Sequence, residues 1–426
     1  MQNGVLTAIG VLYTSLSMAF DVASIRRQFP ILGASVRDKP LIYLDSAATS
    51  QKPSVVVDTM THFYTTMNAN VNRGVHALAE EATAAHDDAR EAVRAFLHAK
   101  HRHEIIFTKN ATEAINLVAR SFGDTLKKGD RIAISLLEHH SNIVPWLQLC
   151  ERASIEIDWL PMKADGTIDI AATKKVLAKG KTKLVSVSGL SNVLGTRQPI
   201  EELTKISHEN GAVICIDAAQ FAAHERIDVQ KLGCDFLAFS GHKIYGPTGI
   251  GVLFGRKELL EKMPPFLGGG DMIQTVTTHG FTVAELPRKF EAGTVAAADS
   301  VALAAAIRWM SAIGINSIQK HEAGLMRHAM IALQTVEGLK ILGPTDPAKR
   351  IGCISFTIDG VHPHDLTDVL GREGICLRAG HHCTQPLHAF LGIQASARMS
   401  FGAYNTIEEI DEAVRVMKEA ILLLKK

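Results

Sequence analysis

The chain lacks a charge excess of either sign: 45 Lys and Arg stand against 44 Asp and Glu in 426 residues. Nothing global therefore attracts nucleic acid or an anionic membrane, and a small-molecule site is the better expectation. Cysteines at paired, zinc-ligand spacing are also missing. The six present (Cys150, Cys215, Cys234, Cys353, Cys376 and Cys383) are scattered, which argues against a zinc ribbon or a disulfide scaffold and suits a reducing, cytoplasmic setting. There is no internal repeat and no low-complexity segment. No apolar run has the length of a membrane span. Residues 1–20 carry no charge, but no Lys or Arg marks a basic region, and Thr7, Tyr13, Thr14, Ser15 and Ser17 interrupt the run. Residues 1–17 are read as an extension, disordered or a non-native start, ahead of a second methionine, Met18.

What is present is an ordinary globular composition, 46% hydrophobic and 21% charged, in a chain long enough for two domains. From about residue 40, short apolar runs alternate with helical segments, the pattern of a mostly parallel α/β sheet. Runs ending near Phe107, Ile134, Val187, Ile216 and Phe239 each open into a polar cluster. Ligands gather at such strand ends in open α/β sheets. Ala111 and Thr112 follow the first run at a predicted helix start, where free N–H groups favour a phosphate. His139 follows the second and Asn192 the third. An alanine-rich helix from about Ala296 to Ile313 is expected to bridge to an α+β part, in which Thr406 and Glu409 form a capping box for a last amphipathic helix.

The run Phe236–Phe239 breaks into Ser240, Gly241, His242 and Lys243, and 26 residues before Lys243 stands Asp217, at the end of another apolar run. A lysine desolvated at a strand end becomes a nucleophilic amine that can hold a carbonyl as a Schiff base. With a carboxylate at a neighbouring strand end, it supplies what pyridoxal phosphate needs: an amine for the aldehyde and an acceptor that keeps the ring nitrogen protonated. A second feature is Arg378-Ala379-Gly380-His381-His382-Cys383-Thr384-Gln385-Pro386. Two histidines and a cysteine invite a metal-site reading, but adjacent histidines aim poorly at one ion and no second Cys or His pair stands at ligand spacing, so no metal is expected. The alternative is a nucleophilic cysteine beside Arg378 and imidazoles on a mobile, exposed loop.

Arg378 to Cys383 and Ser240-Gly241-His242-Lys243-Ile244-Tyr245-Gly246-Pro247-Thr248-Gly249 are long motifs in a set order, and with them stand Glu138-His139-His140-Ser141-Asn142-Ile143-Val144-Pro145-Trp146 and Ser191-Asn192-Val193-Leu194-Gly195. On these the chain, from about Met18 to its C-terminus, resembles the SufS-type (group II) cysteine desulfurases of the class V aminotransferase family. The resemblance implies a PLP-dependent transferase of fold type I. Its large, mixed, mostly parallel sheet domain would span 40–297, and a smaller α+β domain, formed by 18–39 and 298–426, would carry the cysteine loop.

The resemblance further implies that Lys243 carries pyridoxal 5′-phosphate, Asp217 pairs with the ring nitrogen, Gln220 contacts the phenolic oxygen and His139 stacks on the ring. Thr112, Ser240 and His242 would hold the phosphate, with Ala111 beside them and Thr294 reaching over from the other subunit of a homodimer. Asn192 and Arg398 would take the substrate carboxylate, and Arg73 would stand at the entrance. Cys383 would receive sulfur from L-cysteine, or selenium from L-selenocysteine, for a SufE-like or SufU-like acceptor feeding iron–sulfur cluster assembly. Two departures from the family pattern are Asn72, where a histidine is usual, and Val295, where a proline is common. The rival readings are a selenocysteine lyase, an aminotransferase that uses Lys243 without Cys383, and a noncatalytic sulfur-relay protein.

Overall fold

The computed structural model describes residues 20–72 and 74–425. The expectation for residues 1–17 and that for Arg73 lie outside the described residues. The largest sheet has seven strands: β1 (Ile105–Thr108), β2 (Arg131–Ser135), β3 (Glu156–Leu160), β4 (Thr182–Ser188), β5 (Val213–Asp217), β6 (Phe236–Ser240) and β7 (Gly251–Gly255). Their spatial order is β1-β7-β6-β5-β4-β2-β3. β2 to β6 run parallel, and β7 lies antiparallel to both β1 and β6. This is the mixed, mostly parallel sheet that the sequence predicts.

Successive strand residues bury on opposite faces, as a two-residue period requires. Ile105, Val185, Ile214 and Leu237 join one apolar cluster with Val93, Phe96, Leu303 and Ile307, whereas Ile106, Leu184, Cys215 and Phe236 join another with Ala114, Ile115, Trp146 and Leu149. Both faces are therefore covered by helices. That explains why the strands read as continuous apolar runs rather than as alternating ones. β3 escapes the sequence reading because it is an edge strand, with Trp159 partly exposed.

The alanine-rich helix α1 (Ala297–Ile313) packs into the large-sheet core, and after Gly314 the chain turns into α2 (Ile315–Gln334). Leu325, Met326 and Leu333 of α2 belong to a separate cluster under a four-stranded antiparallel sheet. That sheet comprises β8 (Leu339–Ile341), β9 (Cys353–Ile358), β10 (Arg378–Gly380) and β11 (Ser396–Ser400), in the order β8-β9-β11-β10. The last helix, α3 (Ile407–Leu424), starts on the Thr406/Glu409 capping box read from the sequence. The segment after residue 20 touches both parts. Ile25, Phe29 and Leu32 bury in the large-sheet cluster, while Arg26 forms an ion pair with Glu409 at 2.6 Å.

Candidate active site

Five strand ends of the large sheet converge on one cleft, closed on its far side by β10 and β11. Lys243 lies in a short 3-10 turn, Gly241–Lys243, directly after β6, and Asp217 is the last residue of β5. Lys243 is half-buried, and burial pushes its amine down to about 8; Asp217 opposes that shift, while Arg398 and Arg378 add to it. Burial raises the carboxyl of Asp217, against the pull of the Ala219 N–H, which donates to its Oδ1 at 2.9 Å, and of Lys243. A low-pKa amine and a buried carboxyl at adjacent strand ends are the donor set that pyridoxal phosphate requires.

The same cleft is lined by Gln220, His139, Ala111, Thr112, Ser240 and His242, and on its other side by Asn192, Arg398, His382 and Cys383. Burial, with Lys243 adding, pushes His139 down to about 3. Its Nδ1 accepts the Ser141 N–H at 3.1 Å, so the neutral ring carries its proton on Nε2 and offers a flat, uncharged face. Gln220 Nε2 donates to the Ala47 carbonyl at 2.8 Å, and the Ala111 N–H donates to Ser240 Oγ at 2.9 Å. Gly251 makes this end possible: a Cβ there would stand 2.4 Å from the Asn110 Cα, so only glycine lets the Asn110–Thr112 turn lie against β7.

At the opposite end Arg398, 2% exposed, donates from Nη1 to the Asn192 carbonyl at 2.9 Å and from Nη2 to Asp45 Oδ1 at 3.0 Å. Its Nε is buried without a partner. Asn192 Nδ2 donates to the His382 carbonyl at 2.8 Å. A fixed guanidinium beside an amide is a carboxylate-binding pair.

The cysteine loop is less exposed than predicted above: His381 and Gln385 are exposed, but Cys383 is half-buried. Arg378–Gly380 is strand β10, paired with Ser396–Arg398 of β11, and His382 and Thr384 are buried. His382 and Cys383 both adopt left-handed backbone, with φ of 49° and 59°. For non-glycine residues this is a sparsely populated conformation that surrounding contacts must impose. They do: the His140 N–H donates to the Cys383 carbonyl at 2.7 Å, and the Gln385 N–H donates to His140 Nε2 at 3.1 Å. His382 Nε2 lies 3.0 Å from Ser396 Oγ, which His388 Nε2 meets at the same distance. Burial, with Arg398 and His388 adding, pushes His382 down to about 2, so the ring is a neutral packing element. The strained turn carries Cys383, itself half-buried, at the rim of the cleft.

The structure does not bring Thr294 to this cleft. It is exposed and lines a separate depression with Asn70, Val71, Gly270, Asp271 and Gly293. Asn72, next to that depression, has φ of 68°, a left-handed conformation that asparagine tolerates better than most residues. Among the residues that sequence reasoning passed over is Glu138. It is fully buried and accepts from Ser135 Oγ, from Asn142 Nδ2 at 2.6 Å and from Ser188 Oγ at 2.7 Å. Burial pushes it up to about 7 against those three donors. Its position immediately before His139 was the available signal.

With this geometry in hand, comparison with known proteins is direct. Residues 42–413 match the family model described as aminotransferase class-V. A probable cysteine desulfurase of Halalkalibacterium halodurans is 48% identical over 396 residues, 93% of this chain and 97% of that protein. One of Streptomyces coelicolor is 49% identical over 407 residues, 94% and 97% of the two chains. Among solved structures, the cysteine desulfurase CsdA of Escherichia coli superposes with a TM-score of 0.88 at 38% identity, covering 95% of this chain and 100% of that one. A cysteine desulfurase of Thermococcus onnurineus gives 0.90 at 38% identity, covering 95% and 99%. The chain belongs to the class-V aminotransferase family, among its cysteine desulfurases.

Proposed function

We propose that this protein is a pyridoxal 5′-phosphate-dependent cysteine desulfurase that converts L-cysteine to L-alanine and carries the sulfur as a persulfide on Cys383. The observation that carries the reading is that Cys383, on a strained and braced turn, lines the same cleft as Lys243, with Arg398 and Asn192 beside it. Amino-group transfer requires the lysine but not the thiol.

Lys243 would hold the cofactor, Asp217 its ring nitrogen, His139 its face and Gln220 its phenolic oxygen. Thr112, Ser240 and His242, with Ala111 beside them, would hold its phosphate. When bound, the cofactor supplies an aldehyde for amines and a ring that withdraws electrons from Cα. Arg398 and Asn192 orient the substrate by its carboxylate. The Lys243 amine, largely neutral above about pH 8, removes and returns protons at carbon. The Cys383 thiolate forms a bond to the substrate sulfur as the carbon–sulfur bond breaks. The electron pair of that bond stays with carbon, where a proton completes L-alanine. Cysteine is reduced to alanine, and Cys383 is oxidised to the persulfide.

The exposed Thr294 would complete the phosphate site of a second copy, making the working unit a homodimer. A SufE-like or SufU-like acceptor would take the persulfide sulfur toward iron–sulfur cluster assembly, in a reducing cytoplasm that keeps Cys383 a thiol between turnovers. The test is alanine and sulfide release from L-cysteine, with a parallel series on L-selenocysteine and sedimentation of the active species. Alanine should form without any keto acid, from a dimer. A strict keto-acid requirement would make the protein a transaminase, and full activity in a monomer would remove the shared site.

A further inference from the structure

The residue before Lys243 has an unusually crowded carbonyl. The oxygen of His242 accepts from the Ser50 N–H at 3.0 Å, from Thr49 Oγ1 and Ser50 Oγ, each at 3.1 Å, and from the ammonium of Lys52 at 2.9 Å. A carbonyl oxygen has two lone pairs, so four donors aimed at one of them fix that peptide far more firmly than a turn requires. The other partners of Lys52 are neutral as well: the Ser50 carbonyl and, at 3.5 Å, Thr49 Oγ1. Lys52 is half-buried, and burial pushes it down to about 8. A cation drawn out of water onto neutral dipoles costs stability, which an anion nearby would restore.

Where that anion would lie follows from the cleft. The lining at the Ser240 and His242 end consists of hydroxyls, backbone and an imidazole that burial and the charges of Lys243 and Lys52 hold down to about 4. Of the two arginines in the lining, Arg398 is held on the Asn192 carbonyl and Arg378 lies on the strand paired with it, beside the cysteine turn. Apart from Lys243, which the reaction needs as an uncharged amine, the described residues that line the Ser240 and His242 end include no lysine or arginine. Lys52 reaches that end through the carbonyl of His242, a residue of the lining.

We propose that Lys52 is a positioning residue for the cofactor phosphate: held on the His242 carbonyl at 2.9 Å, it supplies the fixed positive charge of the end that His242 lines. The inference rests on the proposed use of pyridoxal 5′-phosphate. The Lys52 charge favours the ligand that carries a phosphate over the one that does not, which separates this role from a general effect on folding.

The test uses the full chain, stripped of cofactor and re-titrated with pyridoxal 5′-phosphate and, separately, with pyridoxal, binding being read from the visible absorbance. Failure of the parent to bind pyridoxal 5′-phosphate would refute the cofactor reading itself. Given a parent that binds, Lys52→Met and Lys52→Gln should weaken pyridoxal 5′-phosphate by about ten-fold or more and pyridoxal by less than about three-fold. Lys52→Arg should stay within about three-fold of the parent for both. The proposal is overturned if the neutral variants bind pyridoxal 5′-phosphate as the parent does, or lose both ligands equally. It is also overturned if neither neutral variant folds, because the lysine would then be a folding element only.

Discussion

Asp45 and Arg398 meet 3.0 Å apart in the candidate cleft, although 353 residues separate them in the chain. The pair is not a surface salt bridge: Arg398 is almost wholly buried, and its Nη1 is already spent on the Asn192 carbonyl. Asp45 therefore decides which way the guanidinium faces. Asp45→Asn keeps the shape but weakens the hold, so KM for L-cysteine should rise by about three- to ten-fold with kcat nearly unchanged. An unchanged KM would show that Arg398 needs no such support, or that it does not bind substrate.

The buried carboxyl of Glu138 is met by three groups that can donate to it: Ser135 Oγ, Asn142 Nδ2 and Ser188 Oγ. Glu138→Gln replaces one acceptor oxygen with an NH2, so either the Asn142 amide meets another donor or a serine hydroxyl must turn to accept and give up the bond it donates. The variant should lose about 1–3 kcal/mol of stability, read as a lower midpoint in urea. A midpoint equal to the parent's would mean that the network rearranges freely.

Lys243 and Lys52 both sit near 8, down from an ordinary 10.5. Between those values the unfolded chain binds more protons than the folded one, so the stability of cofactor-free protein should rise as pH increases from about 8 toward 10. Lys243→Met removes one of the two penalties. At pH 7 it should be more stable than the cofactor-free parent by about 1–2 kcal/mol, with a shallower rise, while its alanine production is lost. A steeper rise in the variant would reverse the sign assigned to burial at this site.

Much of the site was legible because its chemistry sits at strand ends, and strand ends can be read from where apolar runs stop. Asp217, Ser240 and Lys243 lie at or just past the ends of β5 and β6 for that reason, and His139 and Asn192 a few residues beyond β2 and β4. The four-stranded sheet was less legible: β10 is only Arg378–Gly380, with no apolar pattern, and forms because Ser396–Arg398 offers it a partner. That pairing also explains why the cysteine turn is half-buried rather than fully exposed. Asp45 and Lys52 were invisible because they meet Arg398 and the His242 carbonyl across 353 and 190 residues, contacts that no local spacing encodes. Thr294 differs again: the role its motif implies involves a second copy of the chain, and in the single chain it lines a separate depression.

The most direct measurement of the central claim is the mass of the intact protein after brief exposure to L-cysteine, parent against Cys383→Ser. A hydroxyl is a far poorer nucleophile toward sulfur at neutral pH, while Lys243, Asp217 and the residues around them are untouched, so the variant should still bind cofactor and turn yellow. The parent should gain the mass of one sulfur atom, removable by a thiol, and release alanine. The variant should gain none and form alanine at less than about one-hundredth of the parent's rate. A variant that gains sulfur, or forms alanine from L-cysteine at the parent's rate, would show that Cys383 is not the sulfur acceptor.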